Sequence, residues 1–169
     1  MGYLFVVKSI QVRRCLPAQC KKANILKTQE TMLSQLVYVS NRKANCSKEE
    51  IDKILRSCQA TNASLDITGV LLYSKTKFIQ YLEGDSRELL GLYDKIKGDK
   101  RHEKAMIISY SPLSTKQFPS WQMAAKEIAP TQVTFRTAIS AEDKKVFDQL
   151  LLGQQQSAST VLGLLKKFF

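Results

Sequence analysis

Two helix-start signatures, Ser47-Lys-Glu-Glu50 and Asp85-Ser-Arg-Glu88, each stand just after a strand-like apolar run, and this alternation constrains the fold more than any other feature. Residues 35–40 (Gln-Leu-Val-Tyr-Val-Ser) are rich in β-branched and aromatic side chains and predict a buried strand. The Ser47 hydroxyl is placed to accept the residue-50 amide while Glu50 reaches back, opening a helix with Ile51, Ile54, Leu55 and Cys58 on one face that ends near Asn62. Residues 70–73 and 78–82 are two strands, and the polar 74–77 connection joins them as a hairpin. Asp85 opens a second helix through Leu89, Leu92, Tyr93 and Ile96, with Gly98 where a left-handed closing residue is wanted. Residues 105–110 and 121–128 supply two more strands. The order βαββαββ predicts an α+β, ferredoxin-like sandwich whose two helices cover one sheet face, with a natural pocket in the groove between them.

The ends of the chain read differently. Residues 1–31 show no sustained period and hold six Lys/Arg against one Glu, which predicts a basic, weakly ordered extension. The net charge of +11 raises a nucleic-acid partner, but its concentration in this stretch fits a solvated tail better. Residues 130–169 form a separate C-terminal tail in which Ser140 caps a helix carrying Val146, Phe147, Leu150 and Leu151. A polar Gln154-Gln-Gln156 break and a second apolar cluster follow. These helices are expected to cover the open face of the sheet; the alternative is that one helix suffices, leaving Leu164, Leu165 and Phe168 as a surface for self-association or partner docking.

No apolar run reaches the 18 or so residues of a membrane span, so a cytoplasmic protein without membrane contact is expected. Cys15, Cys20, Cys46 and Cys58 make no CxxC pair, and the single histidine, His102, lies far from them in sequence. A metal site is therefore not expected, and the thiols read as reduced and structural.

Function has to come from a site, and the unusual residue is Gln80. In Phe78-Ile-Gln80-Tyr-Leu82 strand alternation points Gln80 the same way as two large apolar side chains. A buried amide needs partners for two donors and an acceptor oxygen, and Tyr38, set among apolar residues on the first strand, has a hydroxyl to satisfy. Two buried groups that simply satisfy each other are the plain alternative.

Several motifs together point further. They are Leu-Val-Tyr38-Val-Ser, Thr61-Asn62-Ala-Ser-Leu-Asp-Ile67-Thr68-Gly69, Phe78-Ile-Gln80-Tyr-Leu-Glu-Gly84, Asp99-Lys-Arg101-His102 and Phe118-Pro-Ser-Trp121-Gln-Met123. In identity and spacing residues 33–129 resemble the BLUF family of blue-light receptors that use FAD. The resemblance implies FAD, held without a covalent bond, between the two helices. It implies that Asn62 holds the pyrimidine edge of the ring, that Ile67, Phe78 and Ile79 pack on its apolar faces, and that Arg101 and His102 lie by its polar side. Tyr38 and Gln80 become the photochemical pair, Gln80 also touching the flavin, and Trp121 and Met123 become signalling positions, Trp121 near the flavin or turned out. Cys58 packs under the ring or the core. Ser64 stands where many relatives carry arginine, which implies a weaker hold on the diphosphate end.

On this reading the chain is a photoreceptor and not an enzyme. Its signal leaves through the tail, through a homo-oligomer, as in related stand-alone proteins, or through a separate downstream protein. The alternative is a ferredoxin-like nucleic-acid or regulatory module without flavin. An RNA-binding sheet wants a basic-Gly-aromatic order on its third strand, which 78–84 lacks, and a small hydrolase wants a glycine-rich anion loop, which Asn41-Arg-Lys-Ala-Asn45 does not provide.

Overall fold

The computed structural model describes residues 31–128 and 136–169. The basic N-terminal stretch, with Cys15 and Cys20, therefore lies outside the described residues except for its last member, Thr31, as do 129–135, where the tail begins.

Five strands form one sheet in the order β4-β1-β3-β2-β5. They are β1 (Leu33–Arg42), β2 (Thr68–Tyr73), β3 (Lys77–Asp85), β4 (His102–Pro112) and β5 (Ala124–Glu127), with α1 (Lys48–Ser64) after β1 and α2 (Ser86–Gly98) after β3. The first four strands pair antiparallel in the ferredoxin-like order, and β5 adds to β2 in parallel. Gly69 permits the close approach of β2 to β3, because a Cβ there would sit 2.1 Å from the Tyr81 carbonyl oxygen.

Three local expectations are corrected. The last strand begins at Ala124 and not at Trp121. The preceding carbonyls are engaged elsewhere: Gly69 N–H donates to Trp121 O at 2.8 Å and Asn62 Nδ2 to Gln122 O at 2.7 Å. Gly98 is the last helical residue and takes no left-handed conformation; the chain leaves α2 through an extended Asp99, whose N–H donates to Ile96 O. At α1 the Ser47 hydroxyl accepts from Glu50 N–H, but the Glu50 carboxylate turns to Lys53 at 2.6 Å and to Arg101 at 3.7 Å, so only half of the box forms.

Strand alternation splits the core in two. One face carries Leu36, Tyr38, Leu71, Phe78 and Leu82 against Ile51 and Ile54 of α1 and Leu89 of α2. The other carries Val37, Val39, Val70, Leu72, Ile79 and Tyr81 beneath α3 (Ala141–Leu151) and α4 (Ala158–Leu165). The alternative in which Leu164, Leu165 and Phe168 are surplus surface is corrected: all three are buried in this second layer with Phe147, Leu150 and Val161. The reason is width. Five strands spaced about 4.8 Å apart span roughly 19 Å, which takes two helices about 10 Å across. Among the described residues no helix is long and apolar enough to cross a membrane.

Candidate functional site

A cleft of about 220 Å³ opens between α1 and α2 over β1 and β3. Its walls are two helical stripes at three- and four-residue spacing, Ile54, Ser57, Cys58 and Thr61 on α1 and Leu92, Lys95, Ile96 and Asp99 on and just after α2. Its floor is Tyr38, Leu71, Phe78 and Gln80, and Arg101 and His102 close one end.

At the floor the Tyr38 hydroxyl donates to Gln80 Oε1 in a short hydrogen bond between residues that face each other across β1 and β3. The Gln80 amide donates in turn to the Met123 sulfur at 3.4 Å. Burial holds the Tyr38 hydroxyl well above its ordinary pKa, with Cys58, Tyr93 and Asp99 adding to the shift, so it stays a proton donor. Burial also pushes the Cys58 thiol up to about 11 and the His102 imidazole down to about 4. His102 is therefore neutral at ordinary pH; its ring stacks on Phe78 at 4.6 Å and its Nδ1 pairs with the buried Ser40 hydroxyl at 2.8 Å. At the mouth Arg101 grips the Asp99 carboxylate at 2.5 Å, which keeps that carboxyl below its usual range.

Asn62 carries the clearest sign of a missing partner. It is fully buried and its Nδ2 is used by Gln122 O, yet its Oδ1 accepts no hydrogen bond. A buried amide oxygen without a donor is costly, and a ligand N–H would relieve it.

The expected site residues fall into three groups. Tyr38, Phe78, Gln80, Arg101 and His102 meet around the cleft. Asn62 and Ile67 lie on the same side of the sheet, Ile67 buried in the layer beneath the two helices and Asn62 buried at the end of α1. Ile79 does not join them, which corrects its expected place: one residue on from Phe78, its side chain points to the other face, into the layer under α3 and α4. Met123 reaches Gln80, whereas Trp121 is turned away and stacks on Phe118 at 5.3 Å and edge-on against Phe169 at 5.5 Å. Sequence reading missed Lys95, and it quoted Asp99 and Ser40 only as motif members without a site role. Lys95 and Asp99 follow the spacing of Leu92 and Ile96, a signal legible once α2 is taken to face α1; nothing in the local pattern sets Ser40 against His102.

An RNA-type platform does not fit, because both faces of this sheet are covered by helices and the central-strand aromatics Tyr38, Phe78 and Tyr81 are buried.

Comparison with known proteins agrees with the geometry. The family model described as sensors of blue-light using FAD, BLUF, matches residues 33–124. The photoactivated adenylate cyclase subunit beta of Euglena longa is 30% identical over 118 residues, which are 69% of this chain and 14% of that protein. The chain thus spans a small part of that relative. The dark-state structure of BlrB, a BLUF protein, shares 30% identity and a TM-score of 0.56 over 57% of this chain and 74% of its own. The photo-activated state of BlsA superposes with a TM-score of 0.63 over 81% of this chain and 94% of its own; at 20% identity it speaks for the fold alone. With the family model covering more than half of the sequence, the chain belongs to the BLUF family of flavin-binding blue-light sensors.

Proposed function

We propose that this chain is a blue-light photoreceptor that binds FAD in the α1–α2 cleft, with Tyr38 and Gln80 as its photochemical pair and output through protein contacts rather than catalysis. The observation that carries the site is the Tyr38–Gln80 hydrogen bond on the cleft floor, which Gln80 continues to Met123, together with a buried Asn62 oxygen that lacks a donor. When bound, the flavin supplies a chromophore for blue light that can take up an electron and a proton once excited.

The residues divide the work. Tyr38 holds its proton at the hydroxyl, aimed at Gln80 Oε1. Gln80 suits the middle of the chain because an amide both accepts and donates, and its rotation or tautomerisation leaves a different hydrogen-bond pattern behind. A carboxylate there could not donate and a lysine could not accept. Phe78 and neutral His102 offer apolar and aromatic surface, and Asn62 Oδ1 offers an acceptor for the pyrimidine N–H. Lys95 adds a cation to the cleft lining that suits a diphosphate, while Arg101 is already paired with Asp99 and Glu50.

The exposed Leu152 and Met106 are places where a second copy or a downstream protein can dock.

Asn62→Ala tests the cofactor assignment. The unaltered protein is expected to take up FAD, and the variant to bind it at least about tenfold more weakly, the loss of one buried hydrogen bond. A fluorescence titration of free flavin measures both. Equal affinities would remove Asn62 from the site.

A further inference from the structure

On the far side of the sheet from the cleft, Glu83 is a carboxylate with no exposed surface. A charge buried there must be compensated by donors. They come from two directions. From the sheet, Tyr81 OH donates at 2.8 Å and Thr68 Oγ1 at 3.4 Å. From the β4–β5 connection, the backbone N–H of Gln117 donates to both carboxylate oxygens at 2.9 and 2.8 Å, and that of Phe118 donates at 3.1 Å. Consecutive amides closing on one anion fix the backbone that carries them.

That backbone runs on to Trp121 and Met123. Phe118 sits edge-on to Tyr81 at 5.7 Å and stacks on Trp121, whose carbonyl is held by Gly69, and Met123 then reaches Gln80. One strand, β3, thus holds the connection at two points, through Glu83 on one face and through Gln80 on the other.

We infer that Glu83 is a positioning residue for the light response: its grip on the Gln117 and Phe118 amides keeps Met123 against the Gln80 amide. The inference rests on the Tyr38–Gln80 reading of that response. Met123 accepts from Gln80 in the arrangement seen here, so a slackened connection withdraws an acceptor from the resting state and slows return to it. In Glu83→Gln one carboxylate oxygen becomes a donor facing backbone N–H groups, which forces the connection off its anchor.

The test compares the flavin-loaded full chain with Glu83→Gln and with Leu150→Ala, a core truncation on α3 that lowers stability without removing any donor to Glu83. Glu83→Gln is expected to keep the light-induced absorption shift and to recover in the dark about threefold more slowly or beyond. Trp121, the only tryptophan in the chain, serves as a second readout: in flavin-free protein its fluorescence is expected to be quenched more readily by acrylamide in Glu83→Gln. Leu150→Ala is expected to leave both readings at their unaltered values. An unchanged recovery rate in Glu83→Gln overturns the inference, and so does an equal slowing in Leu150→Ala. If Glu83→Gln fails to fold, Tyr81→Phe removes one donor to the same carboxylate; a smaller slowing supports the inference and none overturns it. Loss of the absorption shift in the unaltered protein defeats the Tyr38–Gln80 reading instead, and the quenching comparison alone then decides whether Glu83 holds the connection.

Discussion

Tyr38→Phe is expected to bind flavin and to lose the light-induced shift. The ring of Tyr38 is buried, with Tyr93 at 5.7 Å and His102 at 6.3 Å between centroids, and phenylalanine preserves that packing. What goes is the hydroxyl, and with it the donor to Gln80 Oε1. The stability cost is that of an unmatched buried acceptor, about 1–3 kcal/mol, which a folded domain tolerates. The photochemical cost is far larger, because this is the hydroxyl proton aimed at Gln80. The yield of the shifted state should fall at least about a hundredfold, as for loss of a positioned proton donor. Gln80→Leu should likewise keep flavin and lose the native response. Light-minus-dark difference spectra measure both variants, and a normal photocycle in Tyr38→Phe would take that residue out of the mechanism. Because burial holds the Tyr38 hydroxyl above its ordinary pKa, the response should not titrate away at moderately alkaline pH.

Ending the chain at Gly153 is expected to collapse the fold rather than to remove a docking surface. The cut deletes α4 and with it Val161, Leu164, Leu165 and Phe168, none of which is more than 2% exposed. At about 1.5–3 kcal/mol for each large apolar side chain, the loss rivals the roughly 5–15 kcal/mol by which domains are stable at all. It also uncovers Val37 and Val39 on β1 and Ile108 on β4, the strands against which α4 packs. Thermal unfolding of the truncated chain should lose cooperativity, or its Tm should fall by more than about 15 °C. An unchanged Tm would show that α4 is not part of the core.

The legible parts of this molecule are those governed by local rules. Period-two and period-3.6 patterns carried the element order, and the Ser47 and Asp85 caps stand where helices begin. Gln80 was conspicuous because a polar residue on an apolar strand face needs a partner, and the Tyr38 hydroxyl lies directly across the strand pair. Where the reading failed, tertiary competition decided. Trp121 and Gln122 look like strand but give their carbonyls to Gly69 and Asn62, so β5 starts late. Ile79 was assigned to the ring by motif, against its own alternation. For Glu83 nothing in the local pattern announces that the β4–β5 connection folds over it. The tail's own pattern leaves one covering helix or two equally open, because strand number along the sheet sets how much cover the face needs.

The most direct test of the account is the absorption spectrum of the purified chain, supplied with FAD, before, during and after blue light. A bound, oxidised flavin whose bands move to longer wavelength in the light and return in the dark is the predicted result. A protein that takes up no flavin, or one that holds flavin whose spectrum light does not shift, would contradict it.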